Sequence, residues 1–245
     1  MLYLPPERRK KKGREQLCRP ELFERLHLDS SAPLLREYYA KGTAPADSPI
    51  STVPLVALDL ETTGLNPQKD AIVSLGLIPL DIHRIQCGQA RYWVVNPGGE
   101  LSSRSVVIHG ITHAEIADSP DFMQIIPPLL QIISGAVLVV HCREIEQQFL
   151  DAAFRQRLGE GIVFPVIDTM EIEARHRRGG IVDLLARFMG RSRPSLRLAA
   201  SRARYHLPPY APHHALTDAL ATAELFQAQI AWHYSAHTPL GQLSC

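Results

Sequence analysis

Two acids stand two residues apart at the end of an apolar run in Val56-Ala57-Leu58-Asp59-Leu60-Glu61-Thr62-Thr63-Gly64-Leu65. In an extended strand such residues share a face, so Asp59 and Glu61 would present their carboxylates side by side. Like charges held close are unfavourable unless a cation sits between them, and carboxylate oxygens suit Mg²⁺ or Mn²⁺. The plain alternative is a solvated strand end. Two further segments favour the metal. In His213-His214-Ala215-Leu216-Thr217-Asp218, a histidine precedes an aspartate by five residues at the start of an Ala-rich helical pattern. In His141-Cys142-Arg143-Glu144-Ile145-Glu146, a buried strand gives way to a helix bearing Glu146. Acids from a strand end, a helix start and a distant C-terminal helix make a divalent-metal cage of the kind two-metal phosphodiester hydrolysis requires.

Those side chains need a frame, and the pattern supplies strands alternating with helices. PLVALDL, DAIVSLGLIPLD and ARYWVVNP read as strands, separated by turn residues. AVLVVH is short, β-branched and nearly all apolar, as a strand buried on both faces should be. EIEQQFLDAAFRQRL reads as a helix, IVFPVIDT as a strand, and the remainder as helices ending with ALTDALATAELFQAQIAWHY. Residues 121–133 have helical apolar spacing that Pro127 and Pro128 should bend or break. The expected fold class is α/β, a mixed sheet flanked by helices.

Composition removes several classes of protein. The chain has 245 residues, 45% of them hydrophobic, and a net charge of +1, which argues against binding nucleic acid by bulk charge. Four cysteines without CxxC spacing exclude a disulfide scaffold and point to a reducing cytoplasm. No apolar run is long enough to span a membrane, and the basic N-terminus lacks the apolar stretch of a signal peptide. Charge is unevenly placed: a basic run lies at Arg8, Arg9, Lys10, Lys11, Lys12 and Arg14, and residues 174–204 hold nine arginines against the single acid Asp183. The arginines read either as a phosphate-contacting surface or as a solvated or partner-binding face.

DLETTGL, HCREIEQQFL and HHALTDALATAELF resemble, in order and spacing, the three motifs of the DnaQ-like, DEDDh-type 3′-5′ exonucleases. The resemblance covers roughly residues 53–230. VVIHGITHAEIADSPDF and the Asp168-Thr169 pair after FPVI are similar to further family segments. The resemblance implies an RNase H-like fold, and the Pro-, Ser- and Ala-rich KGTAPADSPISTVP reads as a linker that sets the main boundary near residue 50. The chain then divides into a basic, short-helical N-terminal extension and linker (1–50), an exonuclease domain (51–235) and a short tail (236–245).

It also implies two Mg²⁺ or Mn²⁺ ions held by Asp59, Glu61, Glu146 and Asp218, with His213 as the general base that takes a proton from the attacking water. Thr62, Thr63, Gly64 and Leu65 would border the terminal nucleotide of a nucleic acid with a free 3′ end. For Leu65, ordinary core packing is an equal alternative, and His109 is a weaker candidate for the same border. The second motif departs from the family's usual HNAxFDxxFL: Glu146 stands at the acid position, and Cys142 and Arg143 replace Asn-Ala. Glu144 is a rival, but positions two apart on a helix diverge by about 200°, and the Phe149-Leu150 anchor selects Glu146.

The favoured reading is thus a metal-dependent 3′-5′ exonuclease acting on DNA or RNA. An adaptor that kept the fold and lost its cage is one alternative. A polymerase proofreading subunit is another, although a C-terminus at Cys245 leaves little room for a polymerase-binding tail. Apolar positions Leu22, Phe23, Leu26, Leu34, Leu35, Tyr38 and Tyr39 in the extension could pack on the domain or serve a protein partner.

Overall fold

The apolar run before the acid pair becomes strand β1 (Leu55–Thr62) in a computed structural model that describes residues 18–98, 111–177 and 195–244. β1 pairs antiparallel with β2 (Ile72–Leu80), and β2 pairs antiparallel with β3 (Arg91–Val94). On its other side β1 pairs in parallel with β4 (Val137–Val140), which pairs in parallel with β5 (Val166–Asp168). The order β3-β2-β1-β4-β5 makes the expected mixed sheet. β4 is buried at every position, as its composition requires. β5 is shorter than its apolar run because Pro165 has no N–H for the ladder, although its carbonyl still accepts from Leu138 at 3.0 Å.

The helices are α1 (Pro20–Asp29), α2 (Pro33–Ala40), α3 (His113–Ala117), α4 (Phe122–Ile133), α5 (Arg143–Leu158), α6 (Thr169–Arg177), α7 (Leu198–Arg204), α8 (Ala215–His233) and α9 (Leu240–Leu243). α1 and α2 each begin with proline, whose missing N–H costs nothing at the first helical position. Pro127 and Pro128 neither end nor interrupt α4. The carbonyls they leave without helical donors belong to Met123 and Gln124, both exposed, so water can serve them. Burial of Phe122, Ile125, Ile126, Leu129, Leu130 and Ile133 holds the helix to the core.

Alternation along β1 divides that core. Val56, Leu58 and Leu60 pack with α4 and α5, whereas Leu55 and Ala57 pack on the side that receives Phe226 and Ile230 of α8. Asp59 and Glu61 continue the second row, so the strand period aims both acids at α8. The extension joins the first side: Phe23, Leu35, Tyr38 and Tyr39 are buried in the same cluster as Leu129 and Phe154. Glu160 secures its turn, accepting from the Ser31 and Ala32 amides at 3.0 and 3.2 Å. The Pro/Ser/Ala segment before β1 is hydrogen-bonded to the chain's last stretch, Ile50 N–H donating to Thr238 and Leu240 N–H to Ser48.

Candidate active site

β1 delivers Asp59 and Glu61 to its C-terminal end, and the first turn of α8 delivers Asp218 opposite them. Carboxylate oxygens of the three lie within 4.8 Å of one another. α8 comes this close because its inner stripe is small, with Ala215, Ala219 and Ala223 fully buried. The sheet beneath it is small as well. Gly76 of β2 is the register partner of Asp59, and a Cβ there would overlap the Ala215 carbonyl and the Leu216 amide. Gly76 therefore sets the depth at which α8, and Asp218 with it, meets the sheet. Sequence reasoning saw only a glycine in a strand; such a residue often marks a close backbone approach.

The fourth acid arrives from α5. Glu146 is 3% exposed, its carboxyl feels the Asp59 charge, and its Oε2 is buried without a hydrogen-bond partner among the described residues. Glu144 is exposed, so of the two only Glu146 turns inward. Asp168, at the end of β5, anchors the start of α5. Its carboxylate accepts the amides of Cys142, Arg143 and Met170 at 3.1, 3.3 and 2.9 Å. A carboxylate at a helix N-terminus meets unpaired N–H groups and the positive end of the dipole. Cys142 adopts a left-handed backbone, φ 92°, to make the corner from β4. Asparagine, usual there in the DnaQ-like pattern, tolerates that region better.

The two histidines separate clearly. His214 caps α8, its Nδ1 accepting from the Thr217 amide at 3.4 Å. His213 precedes it with φ 71°, and its amide donates to Asp218 Oδ2 at 2.8 Å. Among the described residues the His213 ring makes no hydrogen bond.

After Glu61 the strand register shifts and the chain turns. Thr62 Oγ1 donates to the Gly64 carbonyl, and Thr63 exchanges backbone and hydroxyl bonds with Ala71. Asp70 packs against Gly64 so closely that a side chain there would overlap its carboxylate. Leu65 is 53% exposed, so it is not packed in the core. His109 and the basic run at 8–14 lie outside the described residues. Within the arginine-rich stretch, Arg202 and Arg204 turn inward: Arg202 pairs with Glu224 at 2.7 Å, and Arg204 pairs with the buried Glu173.

Three acids meet here, Glu146 lies near enough to feel the Asp59 charge, and none of the four is paired with lysine or arginine among the described residues. Burial, then the charges of Asp218 and Glu61, push Asp59 well above the usual carboxylate range. Burial and Asp218 raise Glu61 from 4.5 to about 7. Such a site is costly as four anions and suits divalent cations, which the all-oxygen donor set and the unpartnered Glu146 Oε2 fit.

A pH dependence follows. Glu61 holds its proton in the folded chain between 4.5 and about 7, where the unfolded chain has released it. This contribution to stability is full below that window and is lost as pH rises through it. The metal-free protein should therefore have a lower thermal midpoint at pH 8 than at pH 5.5 from this term, and Mn²⁺ should raise the midpoint more at pH 8. Thermal melts at both pH values, with and without Mn²⁺, check this; an equal Mn²⁺ effect at both would argue against proton–metal competition.

Fold and site define an α/β protein with a carboxylate cluster at the junction of its central strand and its long C-terminal helix. The chain belongs to the RNase T exonuclease family, whose sequence model, described as Exonuclease, matches residues 56–226. It is 31% identical over 185 residues to a DNA polymerase III subunit epsilon-like protein of Rhodobacter capsulatus, a match covering 75% of this chain and 25% of that protein. It is 29% identical to the DNA polymerase III subunit epsilon of Treponema pallidum over 74% of this chain and 78% of that protein. Against the PolC-type DNA polymerase III of Thermotoga petrophila, 30% identical, the match spans 12% of the relative's length. Among solved structures, exonuclease X in complex with 5′ overhanging duplex DNA shares the fold at a TM-score of 0.56 and 21% identity, covering 77% of this chain and 98% of that one. The nuclease domain of 3′hExo, a DEDDh family member bound to rAMP, does so at 0.58 and 16%, covering 73% and 92%. These likenesses establish the RNase H-like exonuclease fold.

Proposed function

We propose that this protein is a metal-dependent 3′-5′ exonuclease that hydrolyses phosphodiester bonds at the free 3′ end of DNA or RNA and releases nucleoside 5′-monophosphates. The observation that carries the reading is the convergence of Asp59, Glu61 and Asp218, with the buried Glu146, whose Oε2 has no partner among the described residues, near enough to feel the Asp59 charge. These four would hold two Mg²⁺ or Mn²⁺ ions. When bound, the ions supply Lewis-acid stabilisation of the charge that builds on the scissile phosphate.

The chain's own residues do the rest. His213 accepts the proton of the attacking water, a task suited to imidazole near neutral pH. The bond from its amide to Asp218 ties the base to the acidic cluster. The Thr62–Gly64 turn borders the terminal nucleotide, and exposed Leu65 packs against its base, with His109 as a further contact. The catalytic unit in this reading is residues 51–235, with the described parts of the extension and tail, 18–50 and 236–244, packed against it. Free thiols at Cys18, Cys87 and Cys142 accord with a cytoplasmic setting. Among the described residues no helix is long and apolar enough to cross a membrane.

The test is digestion of 5′-labelled DNA and RNA oligomers by the purified chain with Mg²⁺ or Mn²⁺. A 3′-to-5′ ladder is expected; no product with either metal would favour the adaptor reading. In the same assay His213→Ala should lower turnover by about 10² or more and leave Mn²⁺ affinity largely unchanged. Near-normal turnover in that variant would remove His213 from the mechanism. A second reading places the same chemistry in a polymerase assembly, through residues 1–50 or another surface. The Treponema relative, named as a polymerase subunit and matched over 78% of its length, favours it.

A further inference from the structure

The row of the sheet that carries Asp59 does not end at Gly76. Asp59 of β1 is in register with Gly76 of β2, and Gly76 with Tyr92 of β3. All three face the N-terminal end of α8, and each meets it differently. Asp59 faces Asp218, Gly76 lies under the Ala215–Leu216 backbone, and Tyr92 stacks on the His214 ring at 4.6 Å between centroids and 20° between planes.

That stack bears on His213. A non-glycine residue at φ 71° sits in a sparsely populated region that surrounding structure must hold. Two anchors flank it: the His213 amide on Asp218 and the His214 ring, pinned between the Thr217 amide and the Tyr92 face. The first anchor uses a carboxylate already committed to the acidic cluster. The second is independent of it.

We propose that Tyr92 is a positioning residue, whose ring, stacked on His214, fixes the left-handed turn from which His213 reaches the site. The inference rests on the reading of His213 as general base. Tyr92 touches no reacting atom, so it acts on turnover through His213 alone. In this proposal the role belongs to the flat face of the ring, which meets His214.

The experiment compares kcat, KM, Mn²⁺ affinity and thermal midpoint in the full chain. Tyr92→Leu keeps bulk without an aromatic face, and His214→Asn keeps a capping oxygen without a ring. Each is expected to lower kcat about 10-fold, since misplacement of a catalytic group by about 1 Å can cost about 10², with KM and Mn²⁺ affinity little changed. Tyr92→Phe should restore kcat. In a His213→Ala background, Tyr92→Leu should cost nothing further.

A normal kcat in both Tyr92→Leu and His214→Asn, with His213→Ala still impaired, overturns the proposal and leaves the general base standing. An equal loss from Tyr92→Leu with and without His213 also overturns it, because the effect would not pass through His213. A near-normal His213→Ala instead fails the underlying reading, and is told apart by that single variant. Should Tyr92→Leu fold poorly, the His214→Asn comparison decides by the same criteria.

Discussion

Asp59→Asn is expected to erase the 3′-to-5′ ladder while leaving a folded and more heat-stable protein. Asp59 is the acid that links the others: burial and then the charges of Asp218 and Glu61 raise its proton affinity, and burial and then its own charge raise that of Glu146. Asparagine preserves shape and removes the charge that would hold cations there. Metal-ion stabilisation of a transition state is worth several kcal/mol, so the expected loss in turnover is about 10³-fold or more. Stability should move the other way near neutral pH, because one of several mutually repelling carboxylates has gone. Turnover, Mn²⁺ titration and thermal melts on one preparation check the three parts together. A variant that keeps a tenth of normal turnover would displace Asp59 from the centre of the site.

Gly76→Ala should impair the site too, though less deeply, from a residue that touches no substrate. Its Cβ would meet the backbone of α8 at Ala215 and Leu216, and backbone cannot swing aside as a flexible side chain can. The helix must lift, taking Asp218 and His213 away from Asp59 and Glu61. A displacement of about 1 Å is enough for a loss near 10² in turnover. Overpacking of this kind also costs about 1–3 kcal/mol of stability. Gly88→Ala is the control, since no atom lies within 4 Å of the added Cβ. Normal Mn²⁺ affinity and turnover in Gly76→Ala would show that α8 can sit higher without consequence.

The acids were legible because strand and helix periods are written locally. Two residues of separation put Asp59 and Glu61 on one face, and the Phe149-Leu150 anchor fixed which of Glu144 and Glu146 turned inward. The five-residue spacing singled out His213, and the cap and stack that occupy His214 are contacts the spacing does not contain. What could not be read depends on partners distant in the chain. The tight seat at Gly76 exists only once α8, about 140 residues later, is laid upon it. Asp168 serves the start of a helix 25 residues before it, and a pattern read in order does not reveal that cap. Pro127 and Pro128 do not break α4, because the apolar stripe that local propensity ignores holds it to the core.

The homologous stretch, 56–226, is smaller than the piece of protein that folds. Phe23, Leu35, Tyr38 and Tyr39 are interior side chains of the main core, each worth about 1.5–3 kcal/mol on burial. A fragment cut at the borders of likeness would leave their counterparts Leu129 and Phe154 facing water. Family boundaries here trace shared ancestry, whereas cooperativity runs beyond them, so the N-terminal helices belong to the scaffold's integrity rather than to its periphery.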